Sequence, residues 1–130
     1  MSFSPIARAL ILDRDGGKCF RCGRTVVWWP TGESRRPEIV CAYSIHHRRP
    51  RGMGGSKDPI SDHPANGLTL CGTGTTGCHG WVESHRSAAL ADGYLLEHPQ
   101  DPRSAPIRLP SGDLVLLGRE SYLYPDRTAL

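Results

Sequence analysis

Apolar positions near the start of the chain recur at helical spacing. Ile6, Leu10 and Ile11 fall on one side of a helix. Ser4 is placed to cap its start, Pro5 suits the first helical position, and Gly16-Gly17 ends it. The period then shortens. Residues 25–29 read as a strand closed by the turn residues Pro30-Thr31-Gly32. After a polar loop, residues 38–46 read as a second strand, with Cys41 inside it as a small buried residue. From His47 to Asn66 no period survives, because Gly52, Gly54, Gly55, Pro59 and Pro64 break each one. His63 falls in that stretch without ligand spacing and reads as a solvent histidine. Residues 67–71 form a short strand able to return beside the one ending at His46. Residues 79–91 read as a helix that can break at Gly80 or at Ser84-His85-Arg86 and that ends at Gly93. Beyond it, residues 94–96, 107–109 and 113–117 are strand-like pieces separated by prolines.

This order predicts one small α+β domain over residues 1–130, too short for two ordinary domains. A chain of this size buries roughly two-thirds of its unfolded surface, so its core is modest. Gly 15 and Pro 11 together make up a fifth of the residues, which is loop-rich but short of a disorder signature. Bound metal is therefore a candidate for part of the stability. The start of the chain carries no charged and apolar leader pattern, and no apolar run reaches the ~20 residues a bilayer requires. The expectation is a soluble, cytoplasmic protein.

In a reducing compartment five cysteines are better read as metal ligands than as disulfides, and their odd number agrees. Cys19 and Cys22 lie in a Cys-x-x-Cys turn followed by Gly23, which lets two thiolates face one zinc ion. A thioredoxin-type redox motif needs a strand before and a helix after, and here that order is reversed. Gly72 to Gly77 spells GxGxxG, the dinucleotide fingerprint. The chain has no repeated βαβ units, and two cysteines bracket the motif. The glycines are better explained as a six-residue loop bringing Cys71 and Cys78 to the ion held by Cys19 and Cys22.

His46 and His47 end the second strand, and neighbours on a strand point to opposite faces. One can hold a metal while the other takes a proton from water. The net charge of +3 says little by itself, but Arg48, Arg49, Arg51 and Lys57 cluster beside the pair and suit phosphate. Two surface histidines in a solvated basic loop are the plain alternative. The combination favours a metal-dependent nuclease.

Taken in order, Cys-x-x-Cys, His46-His47, Asn66, Cys71 and Cys78-His79-Gly80-Trp81 resemble the HNH endonucleases, closest to their small four-cysteine branch commonly encoded by bacteriophages. The resemblance covers residues 19–93. It implies a ββα-metal (HNH, or His-Me finger) core stabilised by a four-cysteine zinc site. A helix would precede that core, and a loop-rich C-terminal β extension, residues 94–130, would follow it with no role implied. The family's pattern makes His47 the general base and Asn66 the residue that bridges the loop and orients that base. It makes His46 and His79 the ligands of a catalytic divalent cation. Arg48, Arg49 and Arg51 would hold DNA phosphates, and the products would carry a 5′-phosphate and a 3′-hydroxyl.

Many members have Asp where His46 stands, so nitrogen-accepting ions such as zinc, nickel or manganese are expected alongside magnesium. Some members carry a further histidine four residues after the last metal ligand. Here that position is Glu83, on the face of His79, while His85 is off it. Either is an additional ligand or phosphate contact on this reading, or an ordinary surface residue. Trp81 is expected in the core. The expected partner is DNA, met mainly through its backbone. The resemblance also implies large terminase or portal proteins as candidate partners in DNA packaging, with restriction and homing as the other settings in which such proteins act. The competing readings are a zinc-stabilised DNA-binding module without catalysis and a thiol-disulfide enzyme.

Overall fold

The computed structural model describes residues 3–29, 36–50 and 59–124. Arg51, Lys57, the glycines at 52, 54 and 55 and the turn expected at 30–32 lie outside them. The first helix, α1 (Pro5–Arg14), starts as its sequence dictates, with Pro5 in the first turn and the Ser4 hydroxyl accepting from the Ala7 amide at 3.2 Å. Its buried stripe differs from the expected one. Phe3, Ala7 and Ile11 pack together with Ile45 beside them, whereas Ile6 is exposed. Helical spacing places Ala7 and Ile11 one above the other, and the apolar residue before the cap closes the same face.

Two short strands, β1 (Val27–Trp28) and β2 (Glu38–Ile39), pair antiparallel. The strand expected over 38–46 is thus two strands. After β2 the chain bends at Cys41, and β3 (Tyr43–His47) takes a different partner. Cys41 is half-buried at this bend rather than inside a strand. β3 pairs antiparallel with β4 (Gly67–Cys71), in a register that sets His46 opposite Leu68 and His47 opposite Gly67. Two 3-10 turns, Pro59–Asp62 and Pro64–Asn66, lead into β4. His63 caps the second, its Nδ1 accepting from the Ala65 amide at 3.0 Å, so it is not merely solvated.

After β4 come α2 (Gly77–Ser84) and α3 (Arg86–Asp92), divided at His85 where the sequence allowed a break. Both α1 and α2 pack on β4, and every residue of that strand is buried. A three-stranded antiparallel sheet, β5 (Ile107–Arg108), β6 (Leu114–Leu117) and β7 (Tyr122–Leu123), completes the fold. It is no separate layer. Tyr94, Leu95, Ile107, Val115 and Leu117 share one cluster with Phe20, Leu68, Leu70 and Val82. Residues 94–96 are buried without forming a strand, because their backbone serves β3. The Tyr94 carbonyl meets His46, and the Leu96 amide donates to the Arg48 carbonyl at 2.8 Å.

The outer edge of β4 is closed without a further strand. Asp15 Oδ2 accepts from the Thr69 amide at 2.9 Å, and the Phe20 amide donates to the Thr69 carbonyl at 2.8 Å. Arg14 pairs with Asp15 at 2.9 Å and donates to the carbonyls of Gly67 at 2.7 Å and Pro64 at 2.9 Å. Tyr122 adds its hydroxyl to Asp15 Oδ1 at 2.9 Å, tying β7 to the same pair. Both ionic side chains are fully buried, and removing one partner of such a pair typically costs about 3–5 kcal/mol. Asp15→Ala is therefore expected to destabilise the protein by about that amount in denaturant titration. A loss below about 1 kcal/mol would mean that the edge is held by packing alone.

Candidate functional site

Four thiols converge where the turn after α1 meets the end of β4 and the start of α2. The Sγ atoms of Cys19, Cys22, Cys71 and Cys78 all lie within 4.8 Å of one another. A metal–sulfur bond of about 2.3 Å gives a tetrahedral sulfur–sulfur edge of about 3.8 Å. Cys22 Sγ and Cys71 Sγ are 3.8 Å apart, which matches that edge and is far from a disulfide. The local sequence explains the convergence. Gly72 has φ +86°, and a Cβ there would collide with the Thr76 carbonyl, so only glycine permits so tight a return. The Cys78 amide donates to Cys71 Sγ at 3.4 Å. Arg21 lies 3.7 Å over the Trp81 ring and donates to Cys78 Sγ at 3.5 Å. Trp81 is therefore a half-buried stacking residue on α2. Burial raises the thiol of Cys19 and pushes that of Cys78 up to about 12, so a cation must displace their protons to bind. The donor set fits a soft, tetrahedrally coordinated ion.

The second cluster stands at the other end of β3 and on the exposed face of α2. His46, His79 and Glu83 each offer an atom within 4.8 Å of the others. His46 Nδ1 is 4.0 Å and His79 Nε2 3.7 Å from Glu83 Oε1, and the two imidazole centroids are 5.1 Å apart. Helical spacing brings His79 and Glu83 together, one turn apart on α2. The strand supplies His46, which is buried with Nε2 2.9 Å from the Tyr94 carbonyl. Burial pulls its pKa down to about 4, with smaller contributions from the neighbouring His79, His47 and Arg48. Burial also lowers His79, against the opposing charge of Glu83. The imidazoles are thus neutral near pH 7 and able to act as ligands. His79 Nδ1 is buried with no hydrogen-bond partner among the described residues. Two imidazoles and one carboxylate fit a divalent cation of borderline hardness.

A cavity of about 390 Å³ opens over this cluster, lined by His46, His47, Pro50, His79, Glu83 and Arg86 among others. His47 is half-buried, its ring stacked on Phe3 at 3.9 Å and 7°, with Nε2 below the surface. Asn66 is fully buried and joins both ends of the preceding loop. Its Oδ1 accepts from the Arg49 amide at 2.8 Å, and its Nδ2 donates to the carbonyls of Ser61 at 3.0 Å and Arg49 at 3.3 Å.

The structure corrects the expected phosphate contacts. Arg48 is wholly buried, and its guanidinium donates to the carbonyls of Gly93, Ala65, Pro102, Ala105 and Pro106. Arg49 is also buried, donating to the Gln100 carbonyl at 3.1 Å. Neither is presented to a ligand, and Arg51 lies outside the described residues. A run of arginines reads as a phosphate grip until the fold reveals how many carbonyls surround it. His85 stands apart from the cluster, stacked on Trp81 at 4.9 Å with Nδ1 3.0 Å from the Ser84 hydroxyl. Glu83, weighed also as a surface residue, is in the cluster. Sequence reasoning missed Arg86, an exposed cation on the cavity rim 3.5 Å from Glu83 Oε2. Its spacing of three from Glu83 was the available signal.

Among the described residues no helix is long and apolar enough to cross a membrane. Compared with known proteins, the chain matches no protein-family model, no curated protein and no solved structure.

The two clusters differ in chemistry, and metal titration separates them. Cobalt(II) added to reduced, chelator-stripped protein is expected to give thiolate charge-transfer bands and tetrahedral d–d absorption. Cys78→Ser should weaken these bands by the loss of one thiolate and lower the cobalt affinity, and Cys41→Ser should leave both intact. Weakened bands in Cys41→Ser, or an unchanged spectrum and affinity in Cys78→Ser, would contradict the assignment of ligands.

Proposed function

We propose that this chain is a metal-dependent DNA endonuclease of the HNH type, hydrolysing phosphodiester bonds to leave a 5′-phosphate and a 3′-hydroxyl. The observation that carries the reading is the juxtaposition of His46, His79 and Glu83 around one point, with His47 lining the same open cavity. An antiparallel strand pair followed by a helix packed on it supplies these residues, as a ββα-metal core would.

In this reading the four cysteines hold a structural zinc ion, which fixes the start of α2 against β4. His46, His79 and Glu83 hold a divalent cation that supplies Lewis-acid stabilisation of charge on the scissile phosphate. His47 lines the cavity and accepts the proton of the attacking water at its imidazole. Stacking on Phe3 holds that ring in place, and the Asn66 hydrogen bonds fix the strand end that presents it. Arg86 is the exposed cation on the rim and contacts a backbone phosphate, taking the part first expected of Arg48 and Arg49.

Plasmid nicking in magnesium, manganese or nickel tests the reading. His47→Ala is expected to slow cleavage by about 10²–10⁴-fold while DNA binding persists. Arg86→Ala should weaken binding alike for all sequences and reduce the salt dependence by about one phosphate contact. A wild-type protein that binds DNA and never cuts it with any of these cations would instead be a zinc-stabilised binding module.

A further inference from the structure

We infer that Arg48 is a positioning residue for the cation site, acting through the segment 93–106 on the ring of His46. The inference rests on the reading of His46, His79 and Glu83 as a cation site. It assigns Arg48 a role opposite to phosphate contact.

Arg48 directly follows the histidine pair, yet its side chain turns inward and is 0 % exposed. Its Nε donates to the Gly93 carbonyl at 2.9 Å. Nη1 reaches the carbonyls of Ala65 at 3.0 Å and Pro102 at 3.1 Å, and Nη2 those of Ala105 at 2.9 Å and Pro106 at 3.4 Å. The backbone of the same residue is used as fully. Its amide donates to the Asn66 carbonyl at 2.8 Å, and its carbonyl accepts from Leu96 at 2.8 Å. One residue thereby joins the end of β3, the turn before β4 and the chain after α3.

Tyr94 is bracketed by these bonds, between Gly93 on the guanidinium and Leu96 on the Arg48 carbonyl. Its own carbonyl lies 2.9 Å from His46 Nε2. A carbonyl can only accept, so Nε2 must carry the proton and Nδ1 must carry the lone pair. Nδ1 is the nitrogen near Glu83 Oε1, at 4.0 Å. Such a bond to the far nitrogen of a histidine ligand fixes tautomer and ring orientation, and losing it typically lowers metal affinity about 10- to 100-fold.

Burying a cation whose named partners are all carbonyls is expensive unless its donors are used. Arginine meets that requirement because its planar fork points five N–H groups in fixed directions. Lysine offers three donors from one point and cannot span the same carbonyls. If the Tyr94 carbonyl kept its place without the Arg48 clamp, the tautomer of His46 would be indifferent to replacement of Arg48.

The test uses the full chain with zinc in the thiolate site and no second cation. Long-range ¹⁵N–¹H NMR of the wild type is expected to find His46 protonated at Nε2. Arg48→Lys should lose that single tautomer and bind cobalt(II) at the histidine cavity about 10- to 100-fold more weakly, with zinc content unchanged. Gly93→Ala attacks the same clamp with Arg48 intact. Gly93 has φ +87°, and a Cβ there would collide with the Pro106 carbonyl, so cobalt affinity should fall in the same direction. An Nδ1-protonated His46 in the wild type would overturn the inference. So would folded variants that bind cobalt as tightly as the wild type. A wild type with the expected tautomer and tight cobalt binding that never nicks DNA would uphold the inference and remove the nuclease reading.

Discussion

Four thiols converge where the turn after α1, the end of β4 and the start of α2 meet, and this junction positions α2. Between Cys71 and Cys78 the chain must reverse within six residues and begin a helix at a defined angle. That geometry decides where the next residue, His79, points. A modest core would leave α2 some freedom, and a rotation of one residue would carry His79 and Glu83 away from His46. Four thiols within 4.8 Å of one another, with Cys22 and Cys71 at 3.8 Å, restrict that freedom once an ion is held. The two clusters share α2, with Cys78 in the first and His79 and Glu83 in the second.

Polar groups buried without water determine most of the remaining architecture. Arg14 and Asp15 close one edge of β4, and Arg48 gathers carbonyls beyond its start. Each does what a neighbouring strand or helix does in a larger protein, where more backbone is satisfied by regular pairing. The C-terminal segment is bound into this scheme from both sides. Its apolar residues complete the core around Phe20 and Leu68, while its backbone meets His46 and Arg48. Residues 93–106 thus meet His46 and Arg48 behind the cavity.

Several features were legible in the sequence because they depend on local rules. Ser4-Pro5 announced a capped helix, the Cys-x-x-Cys turn with Gly23 announced a metal knuckle, and the period of a strand separated His46 from His47. Other features depend on distant partners and left no local trace. Cys41 sat in an apolar run, and nothing nearby indicated that residues 38–39 and 43–47 pair with different strands. Residues 94–96 looked like a strand because burial and strand formation select the same side chains. Arg48 and Arg49 read as phosphate contacts in the sequence, since only the tertiary fold brings carbonyls within their reach. Glu83 was legible as a neighbour of His79 on one helix face, but its approach to His46 required the strand and helix to be placed together.

In the proposed nuclease reading, His46, His79 and Glu83 share one divalent cation beside a zinc ion held by the four thiols. Crystals soaked in manganese, with diffraction recorded on both sides of the manganese absorption edge, test it most directly. The expected result is an anomalous manganese peak bonded to His46 Nδ1, His79 and Glu83, separate from a zinc peak among the four sulfurs. A zinc peak among the sulfurs with no manganese at the histidines, in crystals where that cavity is open to solvent, would contradict it.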